Sequence, residues 1–408
     1  MIKIMVLAGG NDQIGLIEEL RRRFADVEIL LIDYTENPVA KKFADRHIVA
    51  STLDKEQVLD IARKESVDLV ITACTDQALL TMTYVSEELG LKCYLSYKQA
   101  QDLTNKLYMK KLMIESGIPT TDYRIFSISD EINIEGLRFP LVIKPVDNNS
   151  SNGVLKITSP DMLLSSVEVA RNFSRSKTII IEEFKTGEEF SVDAYIINGM
   201  PVQVLISTSR KVKQNTNNFT INQSIFPVDL PDKAIHEIDG IIRKISKAFS
   251  IQNAPLLLQL IYEDQNISVI EFSARTGGGS KHHFIRNLTG VNVMEKLLDI
   301  TSGIKTDISV NPLVKHAAMN YIYCKPGVFC GVENMENLVN AGIITDYYLY
   351  KPFGTEILKA ESSSDRPAAF FVIADSEMEL HKKITLADKA LVVLNREGED
   401  IMLHGIYS

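Results

Sequence analysis

Short apolar strands alternate with amphipathic helices over the first hundred residues, and this alternation narrows the possible folds more than any other feature. "KIMVLAG" is a buried strand. "IGLIEELRRRF" places Ile14, Ile17, Leu20 and Phe24 on one side of a helix, and "EILLID" is the next strand. "KEQVLDIARKES", "DLVITAC" and "LLTMTYVSEELG" then read as helix, strand and a helix ending at Gly90. Strands that are apolar on both faces and separated by helices predict a parallel sheet covered on both sides. The turn "GGNDQIG" after the first strand and Asp33 at the end of the second resemble parts of a dinucleotide site. Their spacing departs from G-x-G-x-x-G. A glycine turn feeding a helix explains the same residues, so an NAD-linked dehydrogenase is kept only as an alternative.

The chain has 408 residues, more than one ordinary core holds, so two to three domains are expected. Its net charge of -9 argues against broad nucleic-acid binding, which needs a basic face. A local basic pocket for an anionic ligand remains compatible with it. Cys74, Cys93, Cys324 and Cys330 form no C-x-x-C pair, which suits a reducing compartment. "MIKIMVLAGG" reads as a strand and turn rather than a signal sequence, and no apolar run reaches the about eighteen residues of a membrane span. A cytoplasmic protein without a membrane partner is expected.

Further along, "LTNKLYMKKLMIESGIPT" reads as a helix with Thr104 as N-cap, Gly117 just past its end, and Pro119 forbidding continuation. Lys106 falls in its first turn, where periodicity alone makes it a solvated lysine. "FPLVIKPVDNNSSNGVLKIT" is strand, polar loop, strand, with Lys144 closing the first strand. Its loop offers residues that tolerate left-handed backbone and hydroxyl donors, so a phosphate cradle and a plain hairpin tip both fit. "TIIIEEFKTGEEFSVDAYIING" is two strands about an acidic hinge holding Glu182, Glu183, Glu188 and Glu189. Arg210 lies in a basic loop after the next strand. "QLIYEDQNISVIEFSARTGGG" is two strands about a turn. The gaps of two from Glu271 to Ser273 to Arg275 put all three on one face, with Gln259 on the facing strand. "NLTGVNVMEKLLDITSGI" is a further helix, and the last hundred residues mix strand and helix.

In this order, the pieces resemble the ATP-grasp superfamily of carboxylate–amine and carboxylate–thiol ligases. The pattern is most like the group with L-amino-acid ligases, biotin carboxylase and the large chain of carbamoyl-phosphate synthase. The resemblance implies an α/β architecture in three parts: a parallel α/β domain preceding the ATP-grasp core over 1–102, an ATP-grasp core over 103–305 with a mobile lid over about 120–190, and a C-terminal α+β domain over 306–408. It implies ATP-phosphate contacts for Lys106 and Lys144, and phosphate capping by Ser150, Ser151 and Gly153. Glu182 would meet the adenine amino group, the backbone of Glu183, Phe184 and Lys185 would read the base, and Glu189 would hold the ribose.

The same resemblance assigns Gln259, Glu271 and Ser273 to Mg²⁺, with Mn²⁺ as a substitute. Gln259 stands where most relatives have Glu, and Ser273 where they have Asn, so Glu271 is the set's one carboxylate. Arg275 would hold the transferring phosphate or an oxyanion. "GGGSKHHFIRN" offers Lys281 and Arg286, with Arg210, for a substrate carboxylate. His282 or His283 would take a proton from the incoming amine. The implied reaction activates a small carboxylate as an acyl phosphate and joins it to an amine, giving an amide or dipeptide, in a homodimer. The softened ligands keep a second reading open, an ATP-binding protein without ligase activity. Biotin carboxylation and carbamoyl-phosphate synthesis are set aside, because the chain has no biotin-carrier lysine motif and only one such unit.

Overall fold

A computed structural model describes residues 1–147, 153–212, 220–313 and 315–407. Its first part runs β1 (Ile2–Leu7), α1 (Asn11–Arg23), β2 (Val27–Asp33), β3 (Arg46–Val49), α2 (Lys55–Glu65), β4 (Leu69–Ile71) and α3 (Asp76–Leu89). The strands form a parallel sheet in the order β3-β2-β1-β4. Leu30 and Ile32 of β2 enter one core while Ile29 and Leu31 enter another, so both faces are covered. The edge strand β3, "RHIV", escaped the sequence reading because none of its residues is fully buried.

Two helices follow where one was expected: α4 (Tyr97–Thr104) and α5 (Lys106–Glu115). Thr104 is the last residue of α4, its hydroxyl bonded back to the Ala100 carbonyl at 2.8 Å. The cap of α5 is Asn105, whose side-chain oxygen accepts from Leu107 and Tyr108 N–H at 3.0 and 3.1 Å. Gly117 (φ 63°) ends the helix as expected.

The strands β5 (Tyr123–Phe126), β6 (Leu141–Pro145), β7 (Leu155–Ile157) and β8 (Ile179–Glu183), with α6 (Leu163–Phe173), make a unit in the order β5-β8-β6-β7. It has its own small core around Leu141, Ile143, Val167 and Ile181. The body follows with β9 (Glu188–Ile197), β10 (Met200–Thr208), β11 (Arg210–Lys211), β12 (Ile221–Phe226), α7 (Asp232–Ala248), β13 (Asn253–Glu263), β14 (Asn266–Ser273), α8 (Lys281–Thr289) and α9 (Val293–Thr301). Its antiparallel sheet runs β10-β9-β13-β14. Val192 and Leu258 of that sheet share a core with Met5 and Leu7 of the first domain, which ties the two together. The helix expected at "NLTGVNVMEKLLDITSGI" is two, parted at Gly290 (φ 75°).

The rest is β15 (His316–Ile322), β16 (Gly327–Phe329), β17 (Gly331–Glu333), α10 (Met335–Asn340), β18 (Asp346–Leu349), β19 (Thr355–Ile357), β20 (Ala368–Ala374), α11 (Glu377–Ala390) and β21 (Val392–Leu394). Its main sheet runs β11-β12-β15-β20-β18. This sheet crosses the division drawn at residue 306, because β12 leaves the body to pair with β15. Among the described residues no helix is long and apolar enough to cross a membrane.

Candidate active site

The antiparallel pairing of β13 with β14 sets Gln259 directly opposite Glu271. The register then slips at Leu260, which pairs with Val269, so Ile270 is an extra residue. Such a bulge turns the strand and aims its side chains. Glu271 is 42% exposed, and it faces a cleft of about 490 Å³ rather than the core. Lys106, at the first position of α5, brings its ammonium to 3.9 Å from the Glu271 carboxylate. Burial pushes the Lys106 pKa down against the pull of that acid.

Arg275 and Ser273, on the same face, both turn to Asp76, the first residue of α3. Arg275 donates from Nε and Nη2 to the two Asp76 oxygens at 2.7 and 2.9 Å, and from Nη1 to the Thr276 carbonyl at 2.9 Å. The Ser273 hydroxyl also donates to Asp76. Burial alone would raise the Asp76 pKa, but the guanidinium outweighs it and holds the carboxyl below its usual range. Sequence reading missed Asp76; its one signal was an acid at the start of a helix directly after an apolar strand.

Among the described residues no three His, Cys, Asp or Glu side chains cluster as a metal cage. The donor set still fits Mg²⁺. Glu271 supplies a carboxylate and Gln259 an amide oxygen at one spot, and this ion takes few protein ligands beside phosphate oxygens and water. Ser273 adds only a neutral oxygen whose proton is committed to Asp76.

The hinge end of β8 is a buried charge network. Glu182 receives Lys110 at 3.0 Å and also pairs with Lys144. Burial opposes the charge of Glu182, yet the two ammonium groups hold its carboxyl far below the ordinary range. Lys110 is buried in α5, and its ammonium reaches across to Glu182. Glu183 is clamped by Arg138, with Nε and Nη2 at 3.0 Å from its two oxygens. The Glu183 N–H donates to Asp122 at 3.1 Å and the Phe184 N–H to Pro140 at 2.9 Å. These two donors are therefore spent, and base reading by this segment narrows toward Lys185 and the carbonyls. Lys156 sits over the Phe184 ring at 3.7 Å. Glu189 pairs with Lys211. Gly153 (φ 76°) lies so close to Phe173 that a Cβ would stand 2.6 Å from it, so this glycine also serves packing. Ser150 and Ser151 lie outside the described residues.

The "GGGSKHHFIRN" residues separate. Lys281 lines the cleft, but its ammonium is spent on Ser191, Asp193 and Ser207 at 2.5, 3.0 and 3.3 Å. It therefore braces the site instead of offering a free cation. His282 is buried against α1, where a Cβ on Gly15 would stand 2.6 Å from its Nε2. His283 stacks on Tyr348 with centroids 4.7 Å apart, and burial lowers its pKa to about 4. It is neutral at pH 7 and a poor proton acceptor. Arg286 is exposed on the outer side of α8. Neither histidine, nor Arg286, nor Arg210 is among the described residues lining the cleft, whereas Ser209 is. Helix α8 turns only some positions inward, which the contiguous run of cations concealed.

The NAD alternative is overturned by the first turn itself. Asp33 points inward, accepting the Gly9 N–H at 2.6 Å and bonding Thr35, so it is not presented to a ribose. Pro38 fills the space over Gly9, 2.4 Å from where a Cβ would sit. The turn instead serves the cleft. Asp12 accepts the Gly279 and Ser280 N–H groups at 3.1 and 2.8 Å, docking the first domain onto the start of α8.

Tyr321, Tyr350, Lys351, Ser363, Ser364 and Arg366 close the cleft from the C-terminal side. No sequence motif marked them, since they come from strand β15 and from separate loops. Gly279 (φ 74°) makes room for them: a Cβ there would meet the Tyr321 hydroxyl at 2.8 Å and an Arg366 nitrogen at 3.1 Å.

Residues 137–283 match the ATP-grasp domain family, a span that holds the Lys144 strand, the hinge and the Glu271 hairpin. The chain is 24% identical over 347 residues to the L-arginine-specific L-amino acid ligase of Bacillus subtilis, across 82% of each chain. It is 31% identical over 191 residues to the formate-dependent phosphoribosylglycinamide formyltransferase of Wolinella succinogenes, across 45% of this chain and 48% of that one. Its fold matches the crystal structure of L-amino acid ligase from Bacillus licheniformis with a TM-score of 0.82 at 21% identity, over 97% of this chain and 99% of that one. The ordered motifs, the hinge network and the likeness in fold agree: residues 137–283 form an ATP-grasp domain, within a chain folded like an L-amino acid ligase.

Proposed function

We propose that the chain is an ATP-dependent ligase that turns a small carboxylate into an acyl phosphate and joins it to an amine, releasing ADP and phosphate. The observation that carries this reading is a convergence. Glu271 and Gln259 oppose each other in one cleft, Lys106 and Arg275 flank them, and the cleft continues past them to the C-terminal wall.

Phosphoryl transfer needs positioning and charge neutralisation more than covalent help from the protein. Mg²⁺, or Mn²⁺ in its place, held by Glu271 and Gln259, would clamp the phosphate oxygens and neutralise their charge. Lys106 and Lys144 add fixed positive charge on the phosphate side, and Glu182 keeps the Lys144 ammonium oriented. Arg275 commits three of its N–H groups to Asp76 and Thr276. A guanidinium carries five, so two remain for the transferring phosphate or for the oxyanion formed when the amine attacks. The unit over about 120–190 would act as the lid, since its separate core lets it move as a body, and its closure would shield the acyl phosphate from water. The Bacillus subtilis relative is named as joining amino acids, which supports an amide or dipeptide product. A cytoplasmic homodimer completes the reading; sedimentation velocity on the full chain checks the dimer.

The test is phosphate release with ATP, Mg²⁺ and pooled amino acids, with hydroxylamine added to trap the acyl phosphate as a hydroxamate. Hydroxamate dependent on both ATP and an acid is the expected result. ATP binding without hydroxamate from any acid would instead make this an ATP-grasp protein without ligase activity, the reading that the single carboxylate at the metal strand favours.

A further inference from the structure

The C-terminal wall holds an arginine that the steps above do not use. Arg366 lies flat on the Tyr321 ring, its guanidinium carbon 4.0 Å from the centroid, with Tyr350 at 5.6 Å. Among the described residues its Nε–H alone finds a protein acceptor, the Ser363 carbonyl at 2.7 Å. The other cleft cations are matched by acids: Arg275 by Asp76, Lys281 by Asp193, Lys106 by Glu271. Arg366 has no side-chain carboxylate at ion-pair distance among the described residues, and Lys351 beside it has none either. Both line the cleft with the hydroxyl-bearing Ser363 and Ser364. Burial pushes the Lys351 pKa down, against the pull of the Asp365 carboxylate. A guanidinium held flat, with both terminal nitrogens unspent, is preorganised for a planar two-oxygen anion.

We propose that Arg366, assisted by Lys351 and Ser363, binds the carboxylate of the amine substrate, so that the acceptor is an α-amino acid and the product keeps a free C-terminal carboxylate. This rests on the ligase reading. The geometry separates two jobs within one cleft. Arg275, beside the metal strand, serves the acid being activated. Arg366, on the C-terminal wall next to Gly279, anchors the nucleophile by the end that does not react. A fixed carboxylate leaves the amino group as the one part of the acceptor free to reach the acyl phosphate. A phosphorylated amine shares the anionic chemistry, but a single guanidinium fork favours the flat carboxylate.

The full-length protein is given ATP, Mg²⁺ and an amino-acid pool as donors. Equimolar amino acids, amino-acid amides and O-phosphoethanolamine compete as acceptors, and products are read by mass spectrometry. Wild type is expected to make free-acid dipeptides in preference to dipeptide amides. Arg366→Gln should cut that ratio by about tenfold or more, the loss expected for one charge-assisted pair. Arg366→Lys should fall between. Hydroxamate formation, whose acceptor has no carboxylate, should be unchanged in both variants. An unaltered ratio in Arg366→Gln overturns the proposal. So does loss of hydroxamate in both variants, or a phosphoethanolamine conjugate dominating in wild type. If wild type makes no hydroxamate, the ligase reading fails on its own. The subsite is then decided by thermal shift: it survives if the amino-acid pool stabilises wild type while the amide pool does not, with the effect gone in Arg366→Gln, and is overturned otherwise.

Discussion

The nucleotide side and the C-terminal wall of the cleft are both cationic, and they are built on different plans. On the nucleotide side the charges that frame the hinge are paired within the protein: Lys110 and Lys144 share Glu182, Arg138 takes Glu183, and Lys211 takes Glu189. On the C-terminal wall Arg366 rests on tyrosine rings beside backbone and serine oxygens. Buried charge is costly unless compensated. The first plan compensates it within the protein, so the frame stands before any ligand arrives. The second leaves compensation to the ligand, which turns desolvation cost into selectivity for an anion. The difference separates residues that shape the site from residues that choose what enters it.

The largest expected effect lies where the plans meet. Glu271→Gln removes the metal strand's carboxylate and should lower phosphate release by about a hundredfold or more. Activity left intact there would break the metal assignment and with it the ordering of the two walls. The reverse change, Gln259→Glu, should lower the Mg²⁺ concentration needed for half-maximal activity, because it adds ligand charge.

Next comes the self-paired frame. Lys110→Met leaves the buried Glu182 carboxylate with Lys144 as its remaining ammonium partner and should destabilise the protein by about 2 kcal/mol in denaturant titration. Its pH dependence has a definite sign. The two lysines depress the folded-state pKa of Glu182. The stability this contributes is therefore present above the ordinary glutamate range, about pH 4.3, and is lost as pH falls below it toward the folded value. The gap in stability between wild type and Glu182→Gln should accordingly shrink as pH is lowered through 4 to 2, by about the same pKa reasoning. A gap constant with pH would mean that the network carries little charge coupling.

Asp76→Asn tests the seam between first domain and body. It weakens the grip on Arg275, and about a tenfold fall in kcat is expected, with a smaller change in the KM for ATP. The smallest effect is expected from Gly15→Ala. Its new methyl group meets the His282 ring at 2.6 Å, and overpacking of this kind costs about 1–2 kcal/mol in thermal unfolding. Activity per folded molecule should hold, since His282 does not line the cleft.

Much of the fold, and the placement of the Glu271 face within the cleft, was legible because both are written in local patterns. Two-residue gaps carried Glu271, Ser273 and Arg275 to one face, and apolar runs separated by helices specified the parallel sheet. Lys106 was placed in the first turn of its helix, with the cap off by one residue because Thr104 and Asn105 are both good caps and only the second ends a turn. The errors gathered where a side chain's value depends on a distant partner. Lys281 looked like an open cation until Ser191, Asp193 and Ser207 surrounded it. Arg210 and Arg286 looked equivalent to it and face elsewhere. Asp33 looked like a ribose acid and proved to hold its own glycine turn.

By itself the sequence determined much of the element order, the parallel first domain, and the spacing of Glu271, Ser273 and Arg275, since these follow from periodicity and from neighbours a few positions apart. Only the tertiary structure decided which charges are spent and which are available. Asp76 reaches Arg275 across 199 positions of chain. Arg366 reaches the cleft through a sheet that carries β12 of the body into the C-terminal domain. Charge compensation is a matter of a few ångströms in space, and separation along the chain does not encode it.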